Sequence, residues 1–131
     1  MDIAVVFTNS EETKVALREA AKLSAGLHAE IDLIVAQVVP FPLPLAEPPV
    51  LLSFTTARLD ELADAAAVRP SIHVYLCRDS FETLAKVLQP HPVIIVGSRK
   101  RWFRKGPGRL VTTLRERGHH VILASAALTK S

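Results

Sequence analysis

The chain has 131 residues, 49% of them hydrophobic, with 16 Lys and Arg against 13 Asp and Glu, five His and one Cys. That length suits one domain spanning 1–131 with a single core. The apolar content excludes a disordered chain, one Cys excludes a disulfide framework or an all-cysteine metal site, and no apolar run reaches the ~18 residues of a membrane span.

The opening Met1-Asp2 lacks the basic region of a secretory signal, so a cytoplasmic domain is expected. Residues 3–7, IAVVF, are a continuous apolar run, as in a strand covered on both faces. Asn9 with Glu12 three residues on makes a capping box, with Ser10 as a competing cap. The helix so opened has Val15, Leu17, Ala20, Ala21 and Leu23 as its stripe, and Gly26 is placed to stop it. Residues 31–39, IDLIVAQVV, read as a second strand. Five prolines within 40–49 forbid helix and central strand, leaving a stiff connection across the end of the sheet, either a bare crossover or a lid or partner surface.

Residues 50–67 read as a helix whose apolar area comes from Leu51, Leu52, Ala57, Leu59, Leu62 and Ala66, broken by Arg69-Pro70. Residues 71–77, SIHVYLC, form a third strand with His73, Tyr75 and Cys77 on one face. His73 and Cys77 stand ~13 Å apart along such a strand, too far to share one ion, and Cys77 reads as a small buried hydrophobe. Asp79 and Ser80 are placed to cap a helix that runs to Gln89, where Pro90-His91-Pro92 stops it. Residues 93–96, VIIV, are a fourth strand ending at Gly97-Ser98; 109–117 make a helix ended by Gly118; 120–124, HVILA, are the fifth strand.

Strand and helix thus alternate throughout, which predicts an α/β fold with a mainly parallel, doubly wound sheet. Ligands of such sheets bind outside the carboxyl ends of the strands, where strand order reverses. The connections Thr8–Ser10 and Gly97–Gly108 are expected to flank that point. The second carries the charge of the molecule: residues 99–109 hold six of the sixteen basic residues and no acid, so the remainder is net negative. With Trp102-Phe103 among those cations, the segment reads as a solvated turn, an anion or nucleotide-phosphate site, or a contact for nucleic acid or an acidic membrane surface. For catalysis little is visible. Gly97-Ser98-Arg99 lacks the second glycine of a hydrolase elbow, and neither a phosphate-binding P-loop nor GxGxxG occurs.

The element order, the segment VIIVGSRKRWFRKGPGRLVTTLRERGHHVILA, the opening strand with its SEETKVALREAAKLS helix, and the strand ending in Gln37-Val38-Val39 resemble the universal stress protein family. The resemblance covers nearly the whole chain and implies a five-stranded sheet of order 3-2-1-4-5 in a homodimer. One branch of that family binds ATP through a glycine motif. Here Gly97 matches its first glycine, Lys100 stands at the second, Gly108 matches the third after a shortened spacing, and Arg109 replaces the Ser or Thr that follows. Thr8 stands where an aspartate commonly meets the nucleotide, and Val38 where the backbone meets adenine.

The implied function is a non-catalytic regulatory or stress-response module. It dimerises through the last strand, 120–124, and binds ATP or another phosphate-bearing ligand around Thr8, Val38, Gly97, Arg99, Gly108 and Arg109, with no metal of its own. Arg99, Lys100 and Arg109 supply charge-assisted hydrogen bonds in place of backbone amides. The alternatives are a ligand-free interaction module, a nucleic-acid or acidic-surface binder acting through 99–109, and, weakest, slow ATP hydrolysis.

Overall fold

Five strands and four helices alternate along the chain in the computed structural model, which describes residues 2–46, 51–97 and 108–124. They are β1 (Asp2–Val6), α1 (Ser10–Leu27), β2 (Glu30–Val38), α2 (Leu52–Ala65), β3 (Ser71–Cys77), α3 (Ser80–Val87), β4 (Val93–Gly97), α4 (Gly108–Glu116) and β5 (His120–Ala124). The sheet has the order β3-β2-β1-β4-β5, as expected, and every neighbouring pair is parallel. Val5 is in register with Leu33 on one side and Ile95 on the other.

Alternation of side chains across the pleat divides the core in two. Ile3, Val5, Leu33, Val35 and Ile95 face α1 and α2. Ala4, Val6, Ile34, Ile94 and Val96 face α3 and α4. Connections that move from β1 towards β3 thus place their helices on one face, and those that run through β4 to β5 use the other. The winding reverses at β1, between β2 and β4, so the carboxyl ends of β1 and β4 form the switch point.

The helix starts follow the sequence closely. Asn9 Oδ1 accepts a 2.8 Å bond from the Glu12 N–H, and Asp79 Oδ1 a 3.1 Å bond from the Glu82 N–H. Asn9 and Asp79 are the caps, so Ser10 and Ser80, also read as caps, are instead the first helical residues. The end of α1 departs from expectation. The helix runs through Gly26 to Leu27, and His28 takes the left-handed conformation at φ 54°, its N–H donating to the Ser24 carbonyl. Histidine is one of the residues that tolerates this region. At the end of α4 the glycine does serve, with Gly118 at φ 92°.

α2 also departs. Leu51 and Leu52, expected to supply core, are exposed, and within α2 only Leu59 and Ala63 are buried. From Phe54 to Leu62 the helix lies over a cavity rather than over packed side chains.

At the amino-terminal edge of the sheet, Asp32 is a largely covered acid in β2. Its Oδ2 lies 3.0 Å from His91 Nε2 and its Oδ1 3.5 Å from His73 Nε2. His119 Nδ1 lies 2.7 Å from the His91 carbonyl oxygen and so donates to it. Hydrogen bonding of this kind lets a carboxylate sit in a largely covered position. Among the described residues no helix is long and apolar enough to cross a membrane.

Candidate functional site

The cavity opens at the carboxyl ends of β1 and β2 and has a volume of about 540 Å³. Its size falls in the usual range for small-molecule sites. β2 contributes the run Val35–Val38 as one wall, and α2 contributes Phe54, Thr55, Arg58, Leu59, Glu61 and Leu62 as the other. Phe7, just past β1, and Ser10, the first residue of α1, close the end. The α2 wall follows from helical spacing. Thr55, Leu59 and Leu62 recur at intervals of four and three, so they share a face. Arg58 and Glu61 flank that face. The floor is therefore aromatic and aliphatic, and the rim carries hydroxyl, guanidinium and carboxylate groups. This pairing suits a flat apolar ring system with a polar substituent.

Of the residues expected at the site, Val38 lines the cavity. Thr8 and Gly97 are brought together beside it. The Thr8 hydroxyl donates to the Gly97 carbonyl at 2.9 Å, and the Thr8 N–H donates to Thr13 Oγ1 at 3.1 Å. Thr8 thus ties the end of β1 to the end of β4. Gly108 is the first residue of α4. Arg109 is elsewhere engaged: its guanidinium carbon lies 4.0 Å from the centroid of the Phe81 ring in α3, a cation–π contact. Arg99, with the rest of the basic segment through Pro107, lies outside the described residues.

The residues that sequence reasoning missed are those of α2. Arg58 and Glu61 look in the sequence like ordinary charges on a solvated helix face. The available signal was weak: Leu51, Leu52 and Phe54 crowd the start of that helix with more apolar area than a helix beside an edge strand needs. Together with Val38, Phe41, Leu43 and Leu45 they account for every large exposed apolar side chain among the described residues except Leu27. They lie at 38–45 and 51–54 in the sequence and border the cavity through Val38 and Phe54. Arg78 fastens the first of these two runs. It donates to the Val39 carbonyl at 2.9 Å and lies 5.6 Å from the centroid of the Phe41 ring.

Solved structures of universal stress proteins superpose on almost all of the chain. One, solved in complex with cAMP, has 13% sequence identity and a TM-score of 0.62 over 94% of this chain and 96% of its own. Another, from Archaeoglobus fulgidus, has 12% identity and a TM-score of 0.63 over 95% and 98% of the two chains. This chain has the universal stress protein fold. A further universal stress protein from Archaeoglobus fulgidus, in complex with dAMP, has 10% identity and a TM-score of 0.60 over 95% and 97%. No protein-family model and no curated protein sequence matches the chain. At these identities the likeness is one of fold, and the universal stress protein fold is what the sheet order expresses.

Proposed function

We propose that the chain is a non-catalytic regulatory module of the universal stress protein type that binds an adenosine nucleotide, ATP or another phosphate-bearing form, at the carboxyl edge of its sheet. The observation that carries this reading is the cavity between β2 and α2, beside the point where strand order reverses. Phe7, Val35, Leu59 and Leu62 offer a nucleobase an apolar bed, and the exposed backbone end of β2 at Val38 offers its edge hydrogen-bond partners. Two proteins of the same fold were solved in complex with adenine nucleotides, cAMP and dAMP.

Calorimetric titration of the chain with adenosine, AMP, cAMP and ATP tests the reading. Saturable heat with a one-to-one end point is expected for at least one of them, and a saturating ligand at a hundredfold excess over Kd raises folding stability by about 2.7 kcal/mol. No heat with any adenosine compound removes the proposal. A homodimer through β5 belongs to the same reading, because among the described residues His120–Ala124 is an apolar edge strand paired only with β4, and an unpaired apolar edge invites a second copy. Sedimentation equilibrium is expected to return twice the mass of the 131-residue chain; a single-chain mass would remove the dimer.

A further inference from the structure

We infer that the cavity selects nucleosides bearing one phosphoryl group, that Arg58 on α2 holds that group, and that Glu61 turns longer phosphate chains away; this rests on the adenosine-nucleotide reading above. Among the described residues that line the cavity, Arg58 is the one cation and Glu61 the one acid. Arg58 makes no hydrogen bond or ion pair with any described residue. The other described arginines at this edge of the sheet are committed: Arg78 to the Val39 carbonyl and the Phe41 ring, and Arg109 to the Phe81 ring. The Thr8 hydroxyl is likewise spent on the Gly97 carbonyl. A guanidinium binds a phosphoryl group through two parallel N–H donors, so one free arginine supplies a complete contact for one phosphate.

Glu61 sets the limit on chain length. It stands three residues beyond Arg58, so the two side chains rise from the same helix face with Cβ atoms roughly 5–6 Å apart. A second or third phosphoryl group extending along α2 from Arg58 brings negative charge against a carboxylate that has no described partner. Like charges at such distances repel, more strongly beside a low-dielectric cavity wall than in open water. The sugar-phosphate therefore points at α2.

The experiment is calorimetric titration of adenosine, AMP, cAMP and ATP into the full chain in buffer containing EDTA, repeated for Arg58→Gln and Glu61→Gln. For the unchanged chain, AMP is expected to bind about tenfold tighter than adenosine, the size of one charged hydrogen-bonded contact, and ATP more weakly than AMP. Arg58→Gln is expected to bring AMP down to adenosine, and Glu61→Gln to bring ATP up to AMP. Both positions are exposed on a helix, so the unfolding midpoints of the free variants are expected to match the parent, which separates lost binding from lost fold. If AMP keeps its advantage in Arg58→Gln, or if ATP binds the parent tighter than AMP, the inference is overturned while the nucleotide reading stands. If no adenosine compound binds the parent, both fall together.

Discussion

Gly97→Ala is expected to lower folding stability by about 3 kcal/mol, at the upper end of what overpacking usually costs. A Cβ built on Gly97 stands 2.5 Å from the Glu12 carbonyl carbon and 2.9 Å from Glu12 Cβ, and closer still to the Glu12 carbonyl oxygen. The nearest atoms are backbone atoms in the first turn of α1, which cannot swing aside as the tip of a side chain would. Either α1 or the end of β4 must move. Both are anchored: α1 by the Asn9 cap and by Ala16, Leu17 and Ala20 in the core, and β4 by its pairing with β1 and β5. The displacement would reach the site as well, because the Gly97 carbonyl is the acceptor for Thr8. Urea unfolding of the alanine variant checks this. A midpoint that gives a loss below 1 kcal/mol would mean that the approach of α1 to β4 is looser than these distances say.

Leu59→Ala is expected to cost about 3 kcal/mol and to abolish measurable nucleotide binding. Leu59 is 3% exposed and belongs to the core cluster beneath α1 and α2. Within α2 it shares the work of burial only with Ala63, a far smaller side chain. Truncating a buried leucine removes its transfer free energy and leaves a void, together 2–5 kcal/mol in well-packed interiors. Here the new void merges with the existing cavity, whose wall Leu59 forms. The helix that carries Arg58 and Glu61 then loses its main anchor. Chemical denaturation measures the first effect. Titration with AMP, at a temperature where the variant remains folded, measures the second. Retention of parental affinity would mean that α2 is held by something other than Leu59.

The architecture was legible because each element announces itself locally. The boundaries Ser71–Cys77 and His120–Ala124 coincide with the apolar runs read from the sequence, since β-branched and aromatic residues between turn signals leave little choice. Asn9 and Asp79 were readable for the same reason: a cap and the N–H that donates to it lie three residues apart. Gly26 misled because glycine is the commonest, not the necessary, residue at a left-handed stop, and His28 fills that place two residues on.

The site was less legible because its parts are distant in sequence. The Asp32, His73 and His91 cluster, at the opposite edge of the sheet, shows the same difficulty: it joins β2, β3 and the connection before β4, with Asp32 and His91 59 residues apart. Its trace in the sequence is a single acid inside IDLIVAQVV, a charge that needs a partner without naming one. The cavity wall is similar. That Arg58 and Glu61 look onto a void, while Leu59 between them is buried, depends on how α2 lies over β2. Periodicity gives a helix its apolar face and says nothing of what fails to fill the space below. Gly97 illustrates a third case. The resemblance places it in a nucleotide loop, and a further requirement visible only in three dimensions, the passage of the α1 backbone, also leaves no room for a side chain there.

The exposed apolar side chains at 38–45 and 51–54 have a consequence at the bench. Side chains such as Phe41, 84% exposed, and Leu51, 69% exposed, are what environment-sensitive dyes report. Such a dye fluoresces on the native protein before any heating, and a nucleotide that shields some of these side chains dims it without a change in stability. A melting curve followed in that way confuses occupancy with unfolding. Heat capacity or far-ultraviolet circular dichroism, which see the cooperative loss of helix and sheet instead, keep the two apart.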